Sequence, residues 1–384
     1  MKIAIIHEML IKLGGAEKVL SELIKMYPEA DVYTLMYDEK KVGNVFPKNK
    51  IRCETAAQKL FSVTGKPRLS LPLMPTSVKG INLSGYDLVI SSSSGFAHGV
   101  YVSGITKHIC YCHSPARYLW DHSEEVQKEI GVKLTEGKEH TLLEKIKGTI
   151  GGPLVSGLFD QLRKWDTDAA KRPNIYVANS AEVCHRIDEY YHRQSVVLWP
   201  PVDTTRFTVG PLAVSRRDYY VITSALTPFK LVDRAVRVMT KLNINLKVIG
   251  DGAQKPELQK IAGKTIEFLG RISDEELAVI YARARGFLMP QKEDAGIAPL
   301  EAMASGIPVF GLAKGGLLEV NVDGVTGRFF SEETDESFER GFLTFHREIG
   351  EGKYDNSGPL VTQAKKFDAE HFRRGFQEII KSQL

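Results

Sequence analysis

Short apolar runs rich in β-branched residues alternate along the chain with longer segments whose apolar residues recur at helical spacing. In the first half, Ala16–Met26 and Ala181–Tyr191 are the main predicted helices. The predicted strands of that half are Ile3–His7, Asp31–Leu35, Asp87–Ser91, His108–Tyr111, Ile175–Ala178 and Val196–Leu198. Such alternation is typical of a parallel sheet with helices on both faces, so the sequence predicts an α/β fold.

The alternation stops once, at Trp199–Asp203, where paired prolines block both a helix and a central strand. It resumes after a polar stretch that ends near residue 215. The second half is predicted to contain strands Tyr219–Thr223, Leu246–Ile249, Ile266–Leu269, Phe287–Met289 and Pro308–Gly311, with helices at Leu231–Lys241, from Asp274 and through Glu301. We therefore expect two doubly wound, Rossmann-like domains, residues 1–203 and 204–360.

Local signals refine this outline at three places. Ser273 as N-cap and Glu276 three residues later form a capping box, which marks the start of the Asp274 helix. Ala364–Ile380 has apolar residues near one face, so residues 361–384 are predicted to form a terminal helix that packs back on the N-terminal domain. The serine run at 91–94 follows a predicted strand and indicates a turn.

The composition excludes several classes of protein. The 384 residues are 43% hydrophobic and 26% charged, which suits two soluble domains. The 51 Lys and Arg residues against 47 Asp and Glu leave a formal charge of +4, too even for binding nucleic acid by charge alone. Four scattered cysteines favour a reducing, cytoplasmic environment, and no apolar segment is long enough to cross a membrane.

The strongest candidate chemistry lies at Glu293 and Glu301, which flank seven residues between a predicted strand and an apolar helix. In an open α/β sheet, ligands bind at the carboxyl ends of the strands, where Glu293 lies. The N–H groups of Gly296, Ile297 and Ala298 are expected to point at an anion. The segment therefore predicts a phosphate site beside carboxylates, with an acidic helix start as the alternative.

Further candidates follow other predicted strands. Lys230 is placed to reach a diphosphate, with an ordinary surface lysine as the alternative. Gly14 and Gly15 offer backbone amides to a phosphate or a sugar, although turn glycines have the same pattern. Glu8 and His113 end two strands at the same sheet edge, and a purely structural role is open for either.

Two patterns suggest a metal but do not predict one. Asp166-Thr167-Asp168 has the D-x-D spacing associated with metal-bound nucleotide sugars, yet it lies in a helix-like segment, so chance explains it better. The cluster from Cys110 to His113 has no second ligand pair at a usable spacing and fits structural thiols on a strand. We therefore expect no divalent metal and no cofactor.

Taken in order, the motifs resemble the retaining GT-B glycosyltransferases of family four, and most of all the mannosyltransferase-like branch that builds O-antigen and other surface polysaccharides. The similarity covers nearly the whole chain. It is carried by His7-Glu8, Gly14-Gly15-Ala16-Glu17-Lys18, Tyr111-Cys112-His113-Ser114-Pro115, Asn179-Ser180, Pro200-Pro201-Val202-Asp203, Pro228-Phe229-Lys230, Gly250-Asp251-Gly252, the Glu293/Glu301 pair and Gly315-Gly316.

The resemblance implies that the two domains face each other across a cleft. It also implies a retaining hexosyltransferase that moves mannose from GDP-mannose to a glycan or lipid-linked acceptor. Glu301 would bind the ribose hydroxyls of the donor, and Glu293 the hydroxyls of the transferred sugar. Lys230 would bind the diphosphate, and His113 the sugar from the opposite domain. The amides of residues 296–298 and Gly15 would complete the donor site. Glu8 and Gly14 would then be candidates on the acceptor side.

Two residues depart from the family pattern. Many members have an arginine where this chain has Ala225 and an aromatic residue where it has Ala295. The resemblance therefore implies that neutralisation of the diphosphate depends more heavily on Lys230 and that the donor pocket is roomier.

Three other functions are alternatives to a glycosyltransferase. A GT-B epimerase would release an isomerised sugar nucleotide without an acceptor. A glycan-binding scaffold that has lost catalysis would show no donor turnover, and Ala225 and Ala295 motivate this alternative. A NAD-dependent oxidoreductase is disfavoured, because neither predicted sheet starts with the G-x-G-x-x-G loop.

The segment 55–86 has no aspartate or glutamate but contains Lys59, Lys66, Arg68 and Lys79 among apolar residues. Basic and apolar side chains together can hold a protein on an anionic membrane surface. One interpretation is peripheral contact with the cytoplasmic face of the inner membrane, within reach of a lipid-linked acceptor. The other is an ordinary loop and helix whose apolar residues pack into the N-terminal domain.

Overall fold

The computed structural model describes residues 1–121, 123 and 142–383, with the backbone alone for 142–154. The chain divides into two units. The first comprises Met1–Leu198 with Gly375–Leu384, and the second comprises Trp199–Arg374. Each unit contains one parallel β-sheet with its own hydrophobic core.

The described residues of the first unit form a seven-stranded sheet in the order β3-β2-β1-β4-β5-β6-β7. All of its strand pairs are parallel. Ile5, Ile90 and Ile109 lie side by side on adjacent strands and are fully buried. The strands are β1 Ile3–His7, β2 Asp31–Thr34, β3 Ile51–Arg52, β4 Leu88–Ser93, β5 Lys107–Cys112, β6 Ile175–Ala178 and β7 Ser195–Val197.

Helices connect these strands, as the apolar periodicity predicts. The helix Gly15–Met26 buries Val19, Leu20 and Leu23, which recur at helical spacing. The α-helices of the first unit are Gly15–Met26, Glu39–Val42, Ala56–Thr64, Met74–Lys79, Leu142–Ala169 and Ala181–Tyr191, and short 3₁₀ helices are at Lys48–Lys50, Pro67–Leu73 and Ala97–Gly99.

The described residues of the second unit form a six-stranded parallel sheet in the order β10-β9-β8-β11-β12-β13. Its strands are β8 Tyr220–Thr223, β9 Leu246–Ile249, β10 Ile266–Gly270, β11 Gly286–Met289, β12 Val309–Leu312 and β13 Gly327–Phe330. Its α-helices are Val232–Lys241, Lys255–Ile261, Asp274–Arg283, Ile297–Ala304, Leu317–Val320, Asp335–Gly350 and Gly358–Lys365, and 3₁₀ helices are at Thr204–Arg206, Val214–Arg216 and Pro228–Lys230.

In both sheets the strand order reverses beside the first strand, between β1 and β4 and between β8 and β11. In doubly wound folds, ligands bind in the crevice outside the carboxyl ends of the strands at this reversal. In the first unit those ends carry His7 and Ser92, which are register partners. In the second unit, Glu293 follows β11 by a few residues. The topology therefore places these residues at the sheet edges where doubly wound folds bind their ligands.

The structure confirms the capping box and adds two short strands. Ser273 Oγ accepts the Glu276 amide at 3.1 Å, and Glu276 Oε2 accepts the Ser273 amide at 2.8 Å. The sequence analysis missed β3 and β13. β3 has only two residues and β13 is an edge strand, so neither shows a run of apolar residues long enough to identify it.

The terminal segment and the serine run were predicted wrongly. Ala364–Ile380 is not one helix, because Gly358–Lys365 ends before Ala369–Lys381 begins. Residues 366–368 separate them, and the Asp368 carboxylate accepts the His371 amide at 2.9 Å, which caps the second helix. The serines at 91–93 do not form a turn but complete β4, where all three are buried.

All four cysteines are free, and Cys110 and Cys112 are buried on β5, as expected for structural thiols. Burial raises the pKa of Cys110, and that of Cys53, to about 12, so neither thiol is ionised near neutral pH. Within the described ranges, no helix has the length and apolar character needed to cross a membrane.

Candidate active site

The candidate site of the second unit begins where β11 ends. The chain continues through Glu293 to Gly296, which has a φ of +76° and is the N-cap of helix Ile297–Ala304. Glycine adopts this left-handed conformation without strain. The first N–H groups of an α-helix have no partner within the helix. The helix start after β11 therefore has the geometry that the sequence predicts for an anion site.

Lys230 and Glu293 lie 63 positions apart in sequence but form an ion pair, in which Lys230 Nζ donates to Glu293 Oε1. Gln291 Nε2 donates to the same oxygen at 3.0 Å. The side chains of Lys230 and Glu293 are 24% and 20% exposed, so both remain accessible to a ligand. The structure thus places a cation and a carboxylate side by side at the edge of the sheet.

The loop at Gly315 and Gly316 contacts the backbone of Glu293. The Gly316 amide donates to the Glu293 carbonyl at 2.9 Å, and Glu293 and Gly315 form an isolated parallel bridge. Gly315 has a φ of +65°, and a Cβ there would lie 2.3 Å from the Glu293 carbonyl oxygen. Only glycine allows this approach, which explains the glycine pair as a backbone support for the carboxylate.

Glu301 has a partner that the sequence analysis missed. It is buried in helix Ile297–Ala304, and Arg206 Nη2 lies 3.6 Å from its Oε1. Arg206 also forms an ion pair with Asp274. Arg206 ends the 3₁₀ helix Thr204–Arg206, and no spacing in the sequence relates it to Glu301. The buried Glu301 carboxylate therefore lies beside a positive charge.

The structure places Glu8 inside the first unit. Its carboxylate is 3% exposed and accepts the Phe96 amide at 2.7 Å and the Ala97 amide at 2.9 Å. Burial raises the pKa of Glu8, although these amide bonds act against the shift. Because its oxygens hold the turn after β4, the geometry favours the structural interpretation of Glu8 over contact with an acceptor.

His113 follows β5 and is partly exposed. Its Nε2 is 2.8 Å from Ser92 Oγ, and its backbone carbonyl accepts Asn179 Nδ2 at 2.9 Å. Burial, together with the nearby His7, lowers the pKa of His113 to about 3. At neutral pH the ring is therefore uncharged, and it can act as a hydrogen-bonding group but not as a cation.

Gly14 and Gly15 begin the helix that follows β1. Gly14 is the N-cap of Gly15–Met26 and has an extended backbone, and a Cβ on it would lie 3.1 Å from Glu17 Oε2. A side chain at position 14 would therefore crowd the carboxylate of Glu17. The geometry is compatible with the predicted role of both glycines, since the helix start exposes amides after the first strand.

Asp166 and Asp168 do not form a joint ligand pair. Asp166 is fully buried, and Trp120 Nε1 donates to its Oδ2 at 2.8 Å. Burial raises the pKa of Asp166 to about 7. Asp168 is exposed and pairs with Lys171 at 3.1 Å. These contacts support chance as the origin of the D-x-D spacing, and the described part of the chain contains no cluster of three His, Cys, Asp or Glu side chains suited to a metal.

Comparison with known families concerns the second unit. Residues 210–348 match the family model of glycosyl transferases, group 1. This stretch contains Lys230, Glu293, Gly296 and Glu301. These four candidate residues are therefore within the part of the chain that resembles this family.

Curated relatives match only part of the chain. It is 33% identical over 155 residues to a GDP-mannose-dependent alpha-(1-6)-phosphatidylinositol monomannoside mannosyltransferase of Mycolicibacterium smegmatis, covering 33% of this chain and 41% of that protein. It is 37% identical over 100 residues to sulfoquinovosyl transferase SQD2 of Arabidopsis thaliana, covering 24% and 20%. The chain spans less than half the length of the curated relatives that it matches.

Solved structures match over the whole length. Alr3699/HepE of Anabaena, solved in complex with UDP-glucose, has a TM-score of 0.70 at 17% identity and covers 100% of both chains. Sucrose-phosphate synthase of Thermosynechococcus elongatus has a TM-score of 0.70 at 13% identity, covering 100% of this chain and 99% of that one. Together with the two parallel sheets, these similarities confirm the predicted α/β class with two Rossmann-like domains of the GT-B type.

Proposed function

We propose that this chain is a retaining glycosyltransferase that transfers a hexose from a nucleoside diphosphate donor to a saccharide or lipid-linked acceptor in surface polysaccharide synthesis. The observation that carries the proposal is the Lys230–Glu293 pair beside the start of helix Ile297–Ala304, inside the segment that resembles glycosyl transferases, group 1. A nucleotide sugar has a diphosphate and sugar hydroxyls in adjacent positions, and these are the partners that a lysine and a carboxylate would bind.

Donor binding would exchange the partners of this ion pair. Lys230 Nζ would leave Glu293 for the diphosphate, and the amides of residues 296–298 would face the same phosphates. Glu293 would then accept hydrogen bonds from hydroxyls of the transferred sugar, with Gln291 still holding one of its oxygens. Glu301, which pairs with Arg206, would bind the ribose hydroxyls.

In the proposed reaction, the bond between the anomeric carbon and the diphosphate oxygen breaks, and a bond to the acceptor oxygen forms on the same face. The acceptor hydroxyl gives its proton to the departing diphosphate, so no protein nucleophile is required. The contribution of the chain is electrostatic, since Lys230 and the helix-start amides stabilise the negative charge that develops on the leaving group.

GDP-mannose is the donor that we propose. Two relatives are described as GDP-mannose-dependent mannosyltransferases, at 33% and 29% identity. The Anabaena structures contain UDP or UDP-glucose, but their identity to this chain is only 16–17%. We therefore base the choice of GDP over UDP on the curated relatives, which are more similar in sequence than the Anabaena structures.

The function is tested with GDP-, UDP- and ADP-sugars, first by thermal shift and then by turnover with saccharide acceptors. A donor at a hundred times its dissociation constant is expected to add about 2.7 kcal/mol to the free energy of unfolding. Release of GDP with formation of a glycoside supports the proposal. An isomerised sugar nucleotide formed without acceptor would instead indicate an epimerase, and binding without turnover would indicate a glycan-binding scaffold.

Transfer is expected to survive a chelator. We propose that Lys230 and the helix-start amides neutralise the diphosphate without a divalent ion, because the two carboxylates of the D-x-D spacing have separate environments. Initial rates are compared with and without EDTA, followed by addition of manganese or magnesium. Loss of transfer in EDTA and its restoration by a metal would contradict this proposal.

We also propose that the chain binds anionic membranes through its basic side chains, so that added salt weakens the binding. Lys59, Lys66, Arg68 and Lys79 are exposed, whereas Phe61, Leu71 and Met74 lie in the core and are not available to enter a membrane. Sedimentation with anionic liposomes is therefore expected at low salt and should fall as salt shortens the Debye length to about 10 Å at 0.1 M.

The control for membrane contact changes Lys59, Lys66, Arg68 and Lys79 together to Gln. This variant is expected to remain in the supernatant at low salt and to retain transfer to a soluble acceptor. If the wild type does not sediment with anionic liposomes at low salt, the membrane proposal is wrong and the glycosyltransferase proposal is unaffected.

A further inference from the structure

The backbone turns sharply between Lys230 and the helix Val232–Lys241. Leu231, the residue between them, lies in the left-handed region with a φ of +48° and a ψ of +30°. This conformation brings the Cβ of an L-residue close to the following carbonyl oxygen, so a residue with a bulky side chain rarely adopts it. The chain is therefore strained one residue after the predicted phosphate ligand.

Contacts on both sides of Leu231 hold it in this conformation. Before it, Pro228–Lys230 forms a 3₁₀ turn, in which the Lys230 amide donates to the Thr227 carbonyl at 3.0 Å. After it, the helix Val232–Lys241 packs its apolar side chains into the core of the second unit. Because these two segments fix the ends of the turn, the residue between them must accept the left-handed conformation. The leucine side chain itself is only partly buried.

A right-handed residue at position 231 would join the 3₁₀ turn and the helix into one continuous helix. In such a helix, positions 230, 234 and 237 share one face, because residues three and four apart are neighbours. Arg234 and Arg237 occupy that face and pair with Asp335, at 3.5 Å from Arg234 Nε and 2.6 Å from Arg237 Nε. Lys230 would then extend beside these two arginines towards the start of helix Asp335–Gly350.

The observed partner of Lys230 shows where the left-handed turn directs this side chain. Lys230 Nζ donates to Glu293 Oε1, which follows β11, whereas Arg234 and Arg237 face Asp335. The conformation of one backbone residue therefore separates the cation of the candidate site from the cations of the helix.

We propose that the left-handed backbone of Leu231 positions Lys230 for the diphosphate of the donor, so that Leu231 is a positioning residue that acts through Lys230. The requirement at this position is tolerance of the left-handed conformation, and not the leucine side chain. The geometry of the turn follows from the second unit alone, while the diphosphate as the ligand of Lys230 rests on the proposed function.

The first test replaces Leu231 by residues that differ in their tolerance of this backbone. Glycine and asparagine adopt the left-handed region readily, whereas valine, which is branched at Cβ, does not. In isothermal titration, Leu231→Gly and Leu231→Asn are expected to bind GDP within about twofold of the wild type. Leu231→Val should bind GDP about tenfold more weakly, the loss of about one hydrogen bond to a charged group. A packing role would reverse this order, because valine is the substitute most similar to leucine.

Asn243→Val is the matched control for Leu231→Val. Asn243 is exposed, has a φ of +52° and follows the other end of the same helix. Both valine variants are expected to unfold about 2–4 °C below the wild type, because a β-branched residue is forced into the left-handed region at either position. Asn243→Val should leave GDP affinity unchanged, since the helix Val232–Lys241 separates it from Lys230. Leu231→Gly, which relieves the strain, should unfold at or above the wild-type temperature.

A double variant tests whether Leu231 acts through Lys230. The GDP affinity of Lys230→Ala combined with Leu231→Val is compared with that of Lys230→Ala alone. Once the lysine is absent, the turn has no phosphate ligand to position, so the second substitution is expected to cause no further loss. A further loss of about tenfold, as large as in the wild-type background, would show that Leu231 acts on the site by another route and would overturn the proposal.

The outcomes separate this inference from the proposed function. If the wild type binds GDP and transfers sugar while Leu231→Val binds GDP as tightly as Leu231→Gly, the inference is overturned and the glycosyltransferase stands. If Leu231→Gly unfolds as early as Leu231→Val, the leucine side chain and not the backbone is required, which also overturns the inference. If the wild type binds neither GDP, UDP nor ADP, the proposed function is wrong and the phosphate role of Lys230 fails with it.

Discussion

Glu293→Ala is expected to lower kcat by at least about 100-fold, the usual effect of losing one well-placed electrostatic partner in a transition state. The carboxylate would bind the sugar hydroxyls more strongly as the sugar ring flattens in the transition state. Its loss therefore raises the activation barrier for transfer more than it weakens donor binding. Its alignment depends on Gln291 and on the Gly316 amide, which hold the side chain and the backbone in place. Steady-state kinetics with the preferred donor measure the effect.

Glu339→Ala is the matched control for Glu293→Ala. Glu339 also pairs with a lysine in the second unit, Lys241, at 2.7 Å, but this pair joins the helices Asp335–Gly350 and Val232–Lys241, and Lys241 is 67% exposed. Surface ion pairs contribute little to stability, so this variant should keep wild-type kinetics and unfold at nearly the same temperature. A Glu293→Ala enzyme whose kcat stays within a factor of a few of the wild type would show that the site has been misidentified.

Lys230→Ala is expected to weaken binding of the nucleoside diphosphate by about 10- to 100-fold and to slow transfer. The estimate follows from the loss of one charge-assisted hydrogen bond, about 1.5–3 kcal/mol. The loop before Lys230 contains Ala225 and no second cation, so no side chain of that loop compensates. Isothermal titration with GDP and UDP, alongside donor kinetics, measures both effects.

Lys241→Ala provides the control for Lys230→Ala, because it removes the lysine of the exposed pair with Glu339. It should leave nucleotide affinity unchanged. Lys230→Arg keeps the charge but changes its geometry, and it should recover affinity more fully than rate. Unchanged affinity and rate in Lys230→Ala would contradict the phosphate role and return Lys230 to an ordinary ion pair with Glu293.

The sequence by itself determined the elements that depend on residues close together in the chain. Apolar runs and helical periodicity identified most strands and helices, because side chains that alternate or recur at 3.6 residues reveal the buried face without knowledge of the partner. The capping box at Ser273 was equally local, since both bonds join residues three positions apart. Gly296 at the start of a helix also followed from its own segment.

Local patterns failed where the decisive contact was distant. The break at Asp368 was missed because the apolar spacing continues through it. In the structure the chain turns there, and the Phe367 carbonyl accepts a hydrogen bond from the Val202 amide at 3.1 Å. The serines of β4 were interpreted as a turn, because a run of polar residues after a strand usually marks a turn. Their burial became understandable only once the sheet placed Ser92 between His7 and His113.

The tertiary structure alone decided which candidate side chains meet. Lys230 and Glu293 were predicted as separate ligands of a nucleotide sugar, and their pairing required β8 and β11 to be neighbours in the sheet. Arg206, at the end of the 3₁₀ helix Thr204–Arg206, pairs with Glu301, which is 95 positions away, and no periodicity encodes that distance. Strand order and register are set by the burial of whole faces, so contacts between strands emerge only when the sheet is complete.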